Sequence, residues 1–548
     1  MKIYKRLLSI LLVLLPLGTG ACKKTAETPK QELQAIKISP EEAEIIIGAS
    51  IQLSGASVPE GISIEGARWT STDNNIAQVD DNGKVTAMAE GEAEIRLSLK
   101  GKRGTCKIKV VPAPIVLKGI SVSFSSATVK KGKKVQLSVL KNPENYQTEK
   151  KIEWQSDNGA VASVSQEGLV EALGDGSATI KAKLEGFEAS CIIKVYSQTA
   201  VAQLSFFQLN LWEGLKNVEG GLQVFLDQLA ALKPDVASFC EFPFQGEETT
   251  EGPSAEYILK KAIDYMQAKT GIRYYKTSMT GSGTRGVLTR YPIVEGATKI
   301  VSKGTPGIQP WYYRTVINFN GKEIAIYSSH ATPYYYACYL PRGYGDGSTP
   351  YGWNKLADGP ITDLNKIMER EEKAGRKQLA IDLENDAKVQ EAMGRLCIFG
   401  GDLNQPSHLD WTQATASMFQ HNGCVVPWTI SSYLLANGFK DAYREIYPNP
   451  VTHPGNTWPV YNKDAKKSTV WAADADERDR IDYVYFKANP DIKIISSQLV
   501  GPEALMAIGV KENDTFINQA EELISPANDK WASDHRGLFM KFEIRHPQ

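Results

Sequence analysis

Three short motifs near the C-terminus, in a fixed order, constrain this chain more than anything else in it. Gly-Gly-Asp-Leu-Asn-Gln-Pro-Ser occupies 400–407, Arg-Ile-Asp-Tyr-Val-Tyr 480–485 and Ser-Asp-His 533–535. Each sets carboxylate, amide or imidazole groups against an apolar or β-branched run. Leu396-Cys397-Ile398-Phe399 leads into the first, Asp482 lies inside the second, and the third opens onto Leu538-Phe539-Met540-Lys541-Phe542. A rigid strand delivers polar groups to a site at its end in this way. Two acids, an amide and a His-Asp pair are the parts of a metal-assisted phosphoester hydrolase.

Earlier segments supply further pieces. Phe207-Gln208-Leu209-Asn210 reads as a first strand ending on an Asn, and Asp235 to Glu241 as a second ending on a Glu. Gly286 to Ile293 reads as an internal strand before a Pro turn, and Ile324 to His330 as a strand carrying a His. In this order the pieces resemble the endonuclease/exonuclease/phosphatase superfamily with the DNase I-like fold, over residues 200–548. The resemblance implies an α/β four-layer (αββα) sandwich, with the site at one end. Helix-period stripes agree with such outer layers: Leu222, Phe225, Leu226, Leu229 and Leu232 share one face, and 255–269 behaves similarly.

The resemblance also implies roles. Glu241 and Asp534 are the expected metal ligands, and hard oxygen donors without Cys suit Mg²⁺ or Mn²⁺. His535 with Asp482 forms either a general base or a group that stabilises the phosphoryl oxygens. Asp402 orients the attacking water or assists the leaving group, and Asn404 hydrogen-bonds phosphate. The spacing puts both on one extended segment with side chains on the same face. Asn210 would hold phosphate or a metal-bound water, and His330 would protonate the leaving oxygen or contact a phosphoryl oxygen. Two departures narrow the class. Trp212 stands where many repair nucleases have an Asp, which puts a second metal in doubt. Gly537 and Gln405-Pro406 argue against an inositol phosphatase.

About 70 residues separate His330 from Asp402, more than one helix and its connections need. The excess, 332–370, carries Tyr334, Tyr335, Tyr336, Tyr339, Tyr344, Tyr351, Trp353 and Arg342. Long aromatic, Gly-rich loops beside a site are binding loops or lids. Arg342, Tyr344 and Trp353, with Trp458 in Asn-Thr-Trp-Pro, are the substrate-contact candidates; the alternative is a mini-core that braces the loop.

The N-terminal third contains one unit twice. Trp69/Trp154, Gly83/Gly168, Gly91/Gly176 and Cys106/Cys191 are each 85 residues apart. A repeat of that length is a domain duplication. Alternation such as Glu94-Ile95-Arg96-Leu97-Ser98-Leu99, punctuated by turns such as Asp81-Asn82-Gly83, predicts small all-β sandwiches. The Trp-x-Ser-x-Asp turn and the Asn-Gly-Lys-Val-Thr-Ala run resemble bacterial Ig-like domains of group 2. Trp69 and Trp154 are core or edge packing, with carbohydrate stacking as the alternative.

The first 21 residues read as an export signal: a basic start at Lys2, Lys5 and Arg6, then an apolar stretch from Leu7 to Leu17. Thr19-Gly20-Ala21-Cys22 reads as a lipoprotein processing site with lipid on Cys22. The expected organisation is a signal over 1–21, a tether over 22–33, Ig-like sandwiches over 34–111 and 116–196, and the phosphoesterase domain over 200–548. Net charge is −1, which points to neither nucleic acid nor an anionic surface. The expected protein is a phosphoesterase of a bacterial cell envelope, anchored to a membrane through Cys22, with the Ig-like copies as spacers. A phosphorylated small molecule, a lipid headgroup (sphingomyelinase-like) and nucleic acid (a nuclease) compete as substrate. The alternatives are glycan or protein contact by the Ig-like copies and, as a non-enzyme, an adhesin with an inactive C-terminal domain.

Overall fold

The computed structural model describes residues 32–242, 254–278, 285–300, 312–517 and 521–548. The expected signal, Cys22 and most of the tether lie outside the described residues. The chain divides into two compact units, with the break between Leu117 and Lys118.

The first unit holds the first Ig-like copy. A four-stranded sheet of Glu42–Ile46, Lys102–Val111, Gly91–Leu99 and Arg68–Ser71 faces a three-stranded one of Ser50–Gln52, Lys84–Ala87 and Ala77–Val79. The period-2 pattern does what it predicts: Ala93, Ile95 and Leu97 point into the core while their neighbours face out. The second copy repeats the arrangement around Gly176–Leu184 and Phe187–Tyr196. In both copies the Trp packs over a left-handed Gly; a Cβ on Gly83 would strike the Trp69 indole, and one on Gly168 that of Trp154. This is the packing role. All six described cysteines are buried and unbridged.

The second unit joins that second copy to the αββα sandwich. The strands and helices that build the sandwich are β1 (Thr199–Asn210), α1 (Gly221–Leu232), β2 (Val236–Cys240), α2 (Ala255–Thr270), β3 (Tyr275–Ser278), β4 (Arg285–Thr289), β5 (Lys299–Ile300), β6 (Tyr312–Phe319), β7 (Lys322–His330), α3 (Leu364–Lys373), α4 (Arg376–Ala392), β8 (Leu396–Asp402), α5 (Thr429–Ala436), β9 (Phe439–Asp441), β10 (Asp482–Lys487), β11 (Ile492–Val500), β12 (Leu523–Ile524) and β13 (Gly537–Pro547). One sheet runs β3-β4-β2-β1-β13-β11-β12, the other β5-β6-β7-β8-β10-β9. Phe206, Val236, Ile326, Ile398, Val484 and Leu538 fill the space between the sheets. Leu209 and Phe239 turn outward onto Phe225 of α1 and Ile258 of α2. Tyr327 and Phe399 turn outward onto Leu379 and Leu383 of α4. These strands are apolar on both faces because both faces are covered.

Only Ser197 and Gln198 separate the last strand of the second Ig-like copy from β1. The copy is docked as well as tethered: Met393, at the turn after α4, is part of its hydrophobic core. Gly394 follows in the left-handed region (φ 78°), and a side chain there would run into the Thr128 carbonyl of the copy. The contact precedes β8, at the end of that strand away from Asp402. Gly394→Ala should therefore destabilise the second unit by more than about 1 kcal/mol. Differential scanning calorimetry reads this as a lower Tm; an unchanged Tm would mean the copy does not bear on this turn.

Candidate active site

Strand register builds the site. In the second sheet His330, Asp402 and Asp482 are direct partners across β7, β8 and β10, so three functional side chains stand in one row. The first sheet brings Asn210 at the end of β1, and Glu241 follows the end of β2, whose Cys240 pairs with Asn210. Asp534 and His535 precede β13, which runs beside β1. The two sheets thus deliver their polar ends to one pole.

Hydrogen bonds cross between the sheets. Asp482 accepts from His535 Nδ1 at 2.7 Å and from Gln208 Nε2 at 3.1 Å. Asn210 Nδ2 donates to Asp402 (2.9 Å) and to Glu241 (3.0 Å). Glu241 Oε1 lies 3.2 Å from His330 Nε2. His535 Nε2 faces the centre, 3.8 Å from both Asp402 and Asp534. Trp458 Nε1 donates to one oxygen of Asp534 at 3.3 Å, while the other oxygen is buried without a hydrogen-bond partner among the described residues. Glu241 and His330 keep the most exposure, 24% and 17% of their side chains, so the site opens on their side.

Glu241, His330 and Asp402 form the one group of potential ligand atoms, among the described residues, within 4.8 Å of one another. The expected pair was Glu241 with Asp534; this group joins His330 and Asp402 to Glu241 and does not include Asp534. Glu241 holds a left-handed backbone (φ 57°), rare for a residue with a Cβ. Such strain persists where surrounding contacts over-determine it. Here Glu241 Oε2 also accepts the Glu213 N–H at 3.1 Å.

The electrostatics follow from four carboxylates in a buried space. Burial raises the Asp402 carboxyl to about 6, with Asp482 and Glu241 adding repulsion and the two imidazoles opposing it. Burial, then Glu241, pushes Asp534 up to about 7. Burial also opposes ionisation of Glu241, but hydrogen bonding to His330 outweighs it and holds the group near 2. For His535 desolvation disfavours the charged ring, and Asp482 and Asp534 overcome it, leaving its proton affinity well above that of an ordinary imidazole.

Several expectations change. Asn404 does not continue an extended segment: β8 ends at Asp402, and Asn404 is left-handed (φ 46°) with its N–H on Asp402 Oδ1. A turn, not strand alternation, brings its amide to within 3.3 Å of His330 Nε2. Arg342 does not face a ligand. Its side chain is fully buried, paired with Asp479 at 2.5 Å and stacked over Trp411. Tyr344 is likewise buried in the mini-core of Tyr339, Leu340, Trp411 and Trp428. Trp353 packs between Tyr339 and Trp471, which makes it a brace with one partly exposed face. Trp458 stands in the site as a support of Asp534.

Supporting residues were missed. Gln208 lies two before Asn210 on the same face of β1, a position that period-2 logic alone could have flagged. Thr457 Oγ accepts the N–H groups of Ile481 and Asp482. Ser533 Oγ donates to the Asn210 carbonyl and accepts from the His535 N–H. Arg480 is buried between Asp410 and Asp441. Arg285 donates to the His330 carbonyl at 2.6 Å, and burial lowers its proton affinity to about 10. Ser533 and Arg480 open the Ser-Asp-His and Arg-Ile-Asp motifs, whereas no local sequence signal marks Arg285.

The profile of the Endonuclease/Exonuclease/phosphatase family matches residues 207–535, and that of the bacterial Ig-like domain (group 2) matches 32–110 and 116–190. An uncharacterized protein of Caenorhabditis elegans is 28% identical over 282 residues, 51% of this chain and 76% of that one. Among solved structures, an endonuclease/exonuclease/phosphatase family protein from Leptotrichia buccalis is similar with a TM-score of 0.33 and 17% identity, covering 62% of this chain and 100% of its own. A D. rerio TDP2 complexed with single strand DNA product gives 0.34 and 16%, covering 62% and 99%.

The shifted groups make stability depend on pH with a definite sign. Asp402 and Asp534 have folded values above their unfolded ones, so the stability they contribute is complete below about pH 4 and is lost as pH rises through about 6 and about 7. His535 acts in the same sense: its contribution is complete below an unfolded value of about 6.5 and is lost above it, through its raised folded value. Glu241 acts oppositely, but in acid: its contribution is present above its unfolded value and lost as pH falls toward about 2. In chelator, Tm should therefore fall between pH 5 and pH 8, and less steeply in Asp534→Asn. A slope equal in both proteins would mean that Asp534 is not destabilised by its surroundings.

Proposed function

The chain belongs to the endonuclease/exonuclease/phosphatase family, and from that premise we propose that it is a metal-dependent phosphoesterase acting by water attack at phosphorus. The observation that carries this is the row of His330, Asp402 and Asp482 with His535 locked onto Asp482 from the opposite sheet. Glu241 and Asp534, with Asp402 and His330 in reach, would hold the cation. The fit rests on the Asp534 oxygen that has no hydrogen bond among the described residues and on mutual carboxylate repulsion that a divalent ion relieves. Oxygen donors with no thiolate suit Mg²⁺ or Mn²⁺, which when bound supplies charge neutralisation to the phosphate and its transition state.

This chain's own groups would divide the remaining work. Asp402, held by Asn210 and poised near neutral pH, receives the proton of the attacking water. His535, whose proton affinity is raised, donates Nε2–H to a phosphoryl oxygen, and Asp482 fixes its tautomer through Nδ1. As the water oxygen bonds to phosphorus the ester P–O bond breaks. His330, at the open side, gives a proton to the departing oxygen. Asn404 steadies His330 and faces the phosphate. The alternative division has neutral His535 as the base, with Asp482 fixing the same tautomer.

The proposed setting is the cell envelope, with export directed by the N-terminal segment and lipid on Cys22. The substrate is a phosphorylated small molecule or a lipid headgroup in preference to long nucleic acid, because the chain has no basic excess, with 62 Lys and Arg against 63 Asp and Glu.

The test is a panel of DNA, RNA, phospholipid, sugar phosphates and a generic phosphodiester with Mg²⁺ or Mn²⁺. Hydrolysis should stop on chelation and return with the cation. His535→Ala should lower kcat by about 100-fold or more with the fold retained. Turnover that survives exhaustive chelation, or a folded His535→Ala variant at full rate, would remove the assignment.

A further inference from the structure

A second feature of the same pole is an exposed β-hairpin. Ala504–Ala507 pairs with Val510–Asn513, and only Ile508 and Gly509 form the turn. Both turn residues are left-handed, at φ 48° and 71°. Two-residue hairpin turns of this kind favour Asn or Asp with Gly. A β-branched side chain there strains the backbone. Ile508 is also half exposed, so the position is unfavourable in the turn and in water alike. Retained strain of this sort is a pointer to function.

The tip is not alone. Trp471 is 59% exposed, Val510 56%, Tyr334 56% and Ile508 50%. Ile508 N–H bonds the carbonyl of Ala475, Gly509 packs on Ala473, and Trp471 begins that loop. Trp471 continues onto Trp353 (ring centroids 5.0 Å apart) and Trp353 onto Tyr334 (6.4 Å), four residues beyond His330. The hairpin is rooted in the active centre. Leu505 is bridged to Val460, whose N–H bonds the Asp534 carbonyl, and Arg536, next to His535, grips Glu503 and Asp514 at the hairpin's base.

From this geometry we propose that the Ile508–Val510 tip with Trp471 and Tyr334 is a lipid-surface docking site, which makes the phosphoester of a membrane lipid the substrate class. The second half rests on the phosphoesterase proposal; the docking itself does not. The tip is a two-residue turn with four exposed apolar or aromatic side chains around it, suited to insertion among headgroups and too few for the roughly 1,000 Å² that a stable protein interface needs. Aromatic rings beside aliphatic tips are what an interface between water and hydrocarbon accepts. Of the neighbouring charges, Lys355 pairs with Asp474 and Arg478 with Asp476 and Glu512, while Lys511 of the hairpin lies over the Tyr461 ring, so docking should be mainly apolar and only weakly affected by salt. The expected lipid on Cys22 would keep the chain at a membrane.

The test uses the full chain in a Cys22→Ala background, which removes the expected lipid anchor from every protein compared, with phosphatidylcholine vesicles. Wild type should cosediment, with similar affinity at low and high salt. Ile508→Asn should weaken binding about tenfold or more while raising Tm by about 1–2 °C, because Asn suits the turn. A merely structural Ile508 could not produce those opposite signs. Trp471→Gln should weaken binding too, and neither change should alter hydrolysis of a water-soluble phosphodiester. No vesicle binding by wild type, or full binding by the stabilised Ile508→Asn variant, overturns the proposal. Vesicle binding with no hydrolysis of any phosphoester would leave docking standing and overturn the phosphoesterase instead.

Discussion

The 2.7 Å hydrogen bond from His535 to Asp482 joins the two β-sheets where their polar ends meet, and the rest of the site depends on it. Asp482 has no solvent exposure, and a buried carboxylate is tolerable only with partners. It has two, both from the side of the first sheet: the His535 ring at 2.7 Å and the Gln208 amide at 3.1 Å. The same cross-sheet logic fixes Asp402 through Asn210. Below this layer the space between the sheets is apolar and packed. The sandwich is therefore a rigid mount that gathers four carboxylates at one end, where charge is concentrated and left partly uncompensated.

That imbalance is the functional content of the site. Asp534 keeps one buried oxygen without a hydrogen-bond partner among the described residues, and Glu241 keeps a left-handed backbone. Both are unfavourable for folding and both suit a pole that receives a cation and a phosphate. The hairpin at 504–513 extends the theme outward. Its turn places an isoleucine in a conformation and a solvent exposure that each disfavour it. Stability is relinquished at the centre and again at the rim, while the opposite end of β8 is braced by the second Ig-like copy.

Much of this was legible in the sequence because strand ends have simple rules. Polar side chains at the end of an apolar run sit at the edge of the core, and the family resemblance then singled out Asn210, Glu241, His330, Asp402, Asp482 and His535 among them. The duplicated unit was legible because alternation and turn residues recur with one offset. What failed depended on long-range partners. Arg342 looked available in an aromatic loop, but Asp479, 137 positions away, neutralises it. Asn404 looked strand-like, but a side-chain hydrogen bond from its own Asp402 turns the chain. Arg285 and Thr457 act on backbone groups of other segments, which no local pattern reveals. Trp471 and Ile508 come together only through contacts between two loops.

The central claim is that this pole directs water onto phosphorus. Hydrolysis of a phosphodiester substrate in ¹⁸O-enriched water, followed by ³¹P NMR, examines it directly. The account predicts one ¹⁸O in the phosphate-containing product, seen as an upfield isotope shift, and none in the released alcohol. Label in the alcohol, or an unlabelled phosphate product, would show that the bond broken is not P–O by water attack and would contradict the account.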